Sequence, residues 1–80
     1  MDIITFTENL VKGIVKEKDM VKVQSFDTED GLQLEIVVKD TDMGVVIGKG
    51  GKMASSIRTI IQAYAYLNNI KRVKINIDSF

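Results

Sequence analysis

The residues best suited to chemistry are three glycines and two lysines within residues 45–53, VVIGKGGKM. Glycine leaves its backbone N–H uncovered and accepts positive φ without strain, so a cluster of glycines lets a ligand approach the main chain closely. Lysine ammonium groups beside such a turn attract anions, and uncovered N–H groups at the start of a helix bind phosphate. The segment therefore indicates an anion-binding turn, with a phosphodiester as a suitable ligand.

The chain contains few kinds of side chain that could act in catalysis. It contains no cysteine and no histidine, which removes thiolate metal sites, the commonest general base and the commonest metal ligand. Only carboxylates and lysines remain as candidate catalytic groups. We therefore expect no catalytic residues, no metal and no cofactor.

The charges are divided unevenly along a chain whose net charge is zero. Residues 1–48 carry five lysines against ten acidic residues, whereas residues 49–80 carry six basic residues against one acidic residue. The change falls inside the glycine cluster. Such an asymmetry favours a nucleic acid or another acidic surface as the partner.

Apolar periodicity predicts the elements that position the glycine turn. In chain order they are a helix between Thr5 and Lys18, strands at 21–26 and 32–39, a short helix at 42–47, a helix at 52–67 and a strand at 72–78. The turn DTEDG at 27–31 should close an antiparallel hairpin, with Gly31 at positive φ. The last strand follows a crossover through two helices, so it should lie parallel to the second strand. We therefore predict one domain over residues 1–80, an α+β two-layer sandwich with a three-stranded mixed sheet.

Two common phosphate-binding motifs do not fit the glycine spacing. A P-loop needs four residues between its first glycine and a Gly-Lys pair followed by Ser or Thr, but three separate Gly44 from Gly48. A dinucleotide fingerprint needs a preceding strand and a different glycine spacing. What remains is a four-residue turn between two helices, from Gly48 to Gly51, that exposes the first N–H groups of the second helix.

This turn resembles the GXXG loop of KH domains, in the residues VIGKGGKM at 46–53. The helix and strand added at the N-terminus resemble the bacterial type II arrangement, and residues 42–64 are similar to the KhpA (YlqC) family of small bacterial RNA-binding proteins. The resemblance implies a clamp on about four single-stranded nucleotides, a role as post-transcriptional regulator or RNA chaperone, self-association, and a KhpB (Jag) partner in cell-division and envelope control.

Eight residues are predicted to contact RNA: Val46, Ile47, Gly48, Lys49, Gly50, Gly51, Lys52 and Arg58. Ile47 is assigned mainly to the core, with Val46 facing the bases. Gly50 offers only its backbone to the phosphates. Arg58 lies about 120° around the helix from Lys52, at about 100° per residue.

Several alternatives stay open on the sequence. The turn could belong to a protein-interaction adaptor that has lost nucleic-acid binding, or the ligand could be single-stranded DNA, because a backbone clamp reads phosphate more than sugar. The broad apolar face of helix 52–67 predicts a homodimer through this helix and the C-terminal strand, unless the N-terminal helix covers it. Without an apolar stretch of about 20 residues or a basic leader, a cytoplasmic protein is expected.

Overall fold

The computed structural model describes residues 1–80, and its elements follow the predicted order. They are α1 (Ile3–Lys12), β1 (Lys22–Thr28), β2 (Gly31–Val38), α2 (Met43–Ile47), α3 (Lys52–Leu67) and β3 (Val73–Ser79), with 3-10 turns at Lys18–Met20, Asp40–Asp42 and Lys49–Gly51. The sheet order is β1-β2-β3. β2 pairs antiparallel with β1 and parallel with β3. The predicted α+β fold with a mixed sheet is confirmed.

The helices cover one face of the sheet because apolar residues alternate along the strands. Leu34, Ile36 and Val38 of β2 are fully buried, and their neighbours in sequence are partly exposed. The residues that meet them from the helices include Val11, Val46, Ile57 and Ile61. The other sheet face carries mainly polar residues and remains uncovered. None of the helices combines the length and apolar character needed to span a bilayer.

The β1–β2 hairpin is tighter than predicted. Thr28 pairs with Gly31, so only Glu29 and Asp30 form the turn, and the Thr28 hydroxyl donates to the Gly31 carbonyl at 2.9 Å. Gly31 has the predicted positive φ, at 134°. A Cβ at Gly31 would lie 2.4 Å from the carbonyl oxygen of Arg72. The approach of the chain entering β3 therefore requires glycine at this position.

Helix α1 ends at Lys12, so the prediction that it continues towards Lys18 was wrong. The carboxylate of Asp42 accepts hydrogen bonds from the backbone N–H groups of Lys16 (3.2 Å) and Glu17 (3.0 Å). A continued helix would need these donors for its own carbonyl groups. Because Asp42 is 26 and 25 residues away along the chain, this tertiary contact could not be read from local periodicity.

Asp42 also fixes the segment that leads to the glycine turn. It is 4% exposed and directly precedes α2, yet its carboxylate makes no capping bond to that helix. The hydrogen bond from the Glu17 N–H, aided by that from Lys16, holds the pKa of Asp42 below its ordinary value of 3.8, although burial opposes this. The ionised carboxylate therefore joins the α1–β1 connection to the start of α2.

Asp42→Asn should lower the melting temperature by several degrees at about pH 7, because an amide offers one acceptor oxygen where two N–H groups need partners. A lowered folded-state pKa stabilises the fold above the unfolded value of 3.8 and loses this effect as the pH falls through the folded value. Thermal unfolding at about pH 7 and about pH 3 should thus show a difference from wild type that shrinks in acid. Asp40→Asn, at an exposed position of the same turn, is the control, and an equal loss in both variants would contradict this role.

Candidate nucleic-acid interface

The glycine turn begins where α2 packs against the start of α3. Gly48 has φ 76° and ψ 173°, a backbone conformation that is essentially restricted to glycine. A Cβ on Gly48 would lie 2.6 Å from the Cβ of Met53 and 2.8 Å from its backbone nitrogen. Both backbone conformation and packing therefore require glycine here.

Gly50 and Gly51 serve a different purpose from Gly48. They have φ values of 65° and 77°, and a Cβ on either would meet nothing within 4 Å. The N–H of Gly51 donates to the carbonyl of Gly48 at 3.1 Å, which closes the turn. These two glycines permit the left-handed conformation and leave the surface above the turn uncovered.

The turn presents the N-terminus of α3 to solvent. Gly51 is the N-cap residue of this 16-residue helix and supplies no side-chain cap. The first N–H groups of a helix have no intrahelical acceptors and lie at the positive end of its dipole. Lys49 and Lys52 flank them and are exposed. The arrangement can bind an anion through backbone N–H groups, with two ammonium groups strengthening the attraction.

The apolar residues beside the turn differ from those predicted. Val46 is fully buried and Ile47 is 40% exposed, so their predicted assignments to bases and core were reversed. The reason is the orientation of the short helix α2, which packs on α3 and places Val46 in the main core. Val45 and Met53, at 46% and 36% exposed, were not predicted as site residues. Met53 lies against Gly48 and, with Ile47, provides an apolar surface beside the turn that can pack against bases. Val45 lies about 160° around α2 from Ile47, near Ile14 and Asp42.

Seven of the eight predicted contact residues are contiguous around the turn, and Arg58 stands apart. It is exposed on α3, about 9 Å along the helix axis from Lys52 at about 1.5 Å per residue, and about 120° around it. Its guanidinium therefore projects from a different side of the helix. The structure brings the glycines and the two lysines together but leaves Arg58 outside that cluster.

The order of helices and strands, the sheet topology and the glycine turn together define a class of protein. A helix-strand-strand-helix-helix-strand domain with a mixed sheet, in which Gly48-Lys49-Gly50-Gly51 joins two helices, is a KH domain of type II. A sequence profile of the family described as "KhpA/KhpB, KH domain" matches residues 5–77. The chain belongs to this family.

Individual relatives agree with this assignment. The chain is 43% identical over 70 residues to the RNA-binding protein KhpA of Clostridium acetobutylicum, an overlap covering 88% of this chain and 92% of that protein. It is 36% identical over 74 residues to the RNA-binding protein KhpA of Borreliella burgdorferi, covering 92% and 89% of the two chains. For the protein of that name in Thermotoga maritima the identity is 41% over 56 residues, covering 70% and 75%.

Proposed function

We propose that this chain is an RNA-binding protein that holds short single-stranded RNA at the turn Gly48–Gly51. The observation that carries the proposal is the uncovered turn itself, with open space beside Gly50 and Gly51 and the N-terminus of α3, which has no side-chain cap, behind it. The relatives described above bear the name RNA-binding protein KhpA. The chain acts as one KH domain over residues 1–80, without catalytic activity.

Recognition at this site depends on the RNA backbone more than on the bases. Gly48, Gly50 and Gly51 offer no side-chain donors, so the phosphates meet main-chain N–H groups, Lys49 and Lys52. Such contacts fix position without reading sequence. Ile47 and Met53 provide a nonspecific apolar surface for the bases. We therefore propose low sequence specificity and modest affinity.

The wider role is proposed from family membership. As a member of the KhpA/KhpB family, the protein acts in the cytoplasm as a post-transcriptional regulator or RNA chaperone. A KhpB-type protein is its proposed partner in cell-division and envelope control. Crosslinking RNA in cells, followed by sequencing, would identify the transcripts bound.

Fluorescence anisotropy with a labelled RNA of about four nucleotides tests the binding activity directly. Affinity should fall as salt rises, with a slope of about −0.7 per neutralised phosphate on a logarithmic plot. Negligible binding at low salt would favour a protein-interaction adaptor instead. Measuring the DNA oligonucleotide of the same sequence shows whether the sugar affects affinity. Tighter binding of DNA than of RNA would contradict RNA as the ligand.

We also propose that the protein forms a homodimer through α3. Five residues on one side of α3 follow a spacing of three and four: Met53, Ser56, Ile60, Ala63 and Leu67. Ile60 and Leu67 are 43% and 78% exposed, whereas Ile57 and Ile61 of the same helix are buried. α1 covers a neighbouring part of α3, where Phe6 stacks on Tyr64 with ring centroids 4.0 Å apart. It leaves this stripe open.

A second copy of the chain fits the stripe. Alternation of three and four is the spacing of a helix–helix seam, and Ile60 lies at its centre. In a two-fold symmetric, antiparallel contact the central residue meets its own copy. The outer edge of β3, an edge strand of the sheet, offers further pairing positions.

Ile60→Lys should weaken the dimer about 100-fold or more, because it places two unpaired ammonium groups at the centre of the contact. Sedimentation equilibrium at micromolar concentration measures the mass. Gln62→Lys adds the same charge at an exposed position about 160° around α3 from Ile60 and should leave the dimer intact. A wild-type mass of one chain would contradict the dimer, and binding of the short RNA should be equal in the two variants.

A further inference from the structure

The uncovered face of the sheet contains a depression that the glycine turn does not use. It has a volume of about 360 Å³ and is lined by Thr28, Asp30, Gly31, Leu32, Gln33, Arg72, Val73 and Lys74. It lies where β2 and β3 begin, next to the hairpin turn. Gly31 contributes no side chain, so the space between β1 and β3 stays open.

The groups around this depression match a nucleotide. Arg72 and Lys74 supply two positive charges on one side, and Asp30 is the one acidic residue in the lining. Gln33 offers an amide and pairs with Phe26 on β1 and with Lys74 on β3. The aromatic ring of Phe26, the amide of Gln33 and the ammonium group of Lys74 therefore lie side by side across the three strands.

Phe26 is an unusual residue for its position. Val23 on the same strand is buried against the helices, and Phe26 lies three residues later, on the opposite face, where it is 49% exposed. Its other neighbours on that face, Gln24 and Thr28, are polar. An exposed aromatic ring on an open sheet is a surface on which a base can stack.

Nearby acidic groups leave the cations available. Glu35 lies farther along the same face, where the amides of Gln33 (3.4 Å) and Asn76 (3.5 Å) donate to its carboxylate. Glu29 and Lys71 line the adjoining surface with one charge of each sign. The positive charges of Arg72 and Lys74 thus exceed the single negative charge of Asp30 within the depression.

We propose that this depression and the adjacent Phe26 form a second single-stranded RNA contact, in which a base stacks on Phe26 and a phosphate binds Arg72 and Lys74. The proposal rests on the proposed RNA-binding function. The depression is at the start of β2 and the glycine turn is beyond its end, about 25 Å away for eight residues at about 3.3 Å each. A segment of about four nucleotides fills the glycine turn alone, so only a longer RNA reaches both sites.

The experiment compares RNAs of about four and about 12 nucleotides. Phe26→Ala combined with Arg72→Gln and Lys74→Gln should weaken binding of the longer RNA about tenfold or more and flatten its salt dependence. Binding of the short RNA should be unchanged. The control is Lys12→Gln with Lys16→Gln, which removes two positive charges in and just after α1, outside the lining of the depression and outside the glycine turn. Equal binding of the longer RNA by wild type and the triple variant, or an equal loss in the control, would overturn the proposal.

A second measurement reports on Phe26 itself. The chain contains no tryptophan and two tyrosines, so Phe26→Trp introduces a single tryptophan that keeps an aromatic surface and can be excited selectively over the tyrosines. The longer RNA should quench its emission and the short RNA should not, and adding Arg72→Gln and Lys74→Gln should abolish the quenching. Absence of quenching by an RNA that binds would overturn the sheet contact while the proposed function stands. If neither RNA binds wild type, both the function and the second contact are overturned.

Discussion

Replacing Lys49 and Gly50 together by Asp should reduce the affinity for short single-stranded RNA at least about 100-fold, because two carboxylates then face the phosphate path. The fold should persist. Both positions are exposed, and a Cβ at Gly50 meets nothing within 4 Å. Gly50 has φ 65° and ψ 20°, a left-handed conformation that Asp adopts more readily than most residues. Fluorescence anisotropy gives the affinity, and circular dichroism checks the fold.

The matched control replaces the same residues by Asn. Lys49→Asn with Gly50→Asn has almost the same shape and backbone strain as the Asp pair but adds no negative charge. It should therefore retain much more of the affinity than the Asp pair does. Equal losses in both pairs would show that side-chain bulk blocks the turn, and wild-type affinity in the Asp pair would place the RNA site elsewhere.

Gly48→Ala should destabilise the fold by about 3 kcal/mol or more, since it combines a glycine-only backbone conformation with a steric clash. The new Cβ would lie 2.6 Å from the Cβ of Met53 and 2.8 Å from its backbone nitrogen. Relief requires the first turn of α3 to move away from α2. The melting temperature should fall on the order of 15 °C, and RNA affinity should fall with it.

Gly50→Ala measures left-handed strain without a clash, for comparison with the combined strain and clash at Gly48. It shares the positive φ of Gly48, but its Cβ would enter open space. Only the strain of the left-handed conformation remains, about 1 kcal/mol, and the melting temperature should fall by about 5 °C. Similar melting temperatures for the two alanine variants would contradict the packing argument at Gly48.

Gly48 and Gly50 show how much of the glycine turn could be predicted from the sequence. Spacing alone excluded a P-loop and a dinucleotide fingerprint, and it indicated a four-residue turn between two helices. It did not separate the glycine required by packing from those required by an open surface. That distinction depends on Met53, which approaches Gly48 only after α3 has folded back against α2.

Local periodicity determined most of the architecture. Strands β1, β2 and β3 alternate apolar and polar residues, so their buried face is set by a period of two whatever they pack against. The order of elements and the crossover through two helices then implied the parallel pairing of β2 with β3. These features could be derived because each depends on residues close in sequence or on general rules of chain connection.

The tertiary structure alone decided the features that depend on distant residues. α1 ends at Lys12 because Asp42, far along the chain, binds the N–H groups of Lys16 and Glu17. Val46 rather than Ile47 is buried because a helix as short as α2 takes its orientation from the elements it contacts. The depression beside Phe26 arises from strand register, which places Gln33 between Phe26 and Lys74. Each of these features depends on contacts between segments that are distant in sequence. The hydrophobic periodicity of a single segment carries no information about such contacts.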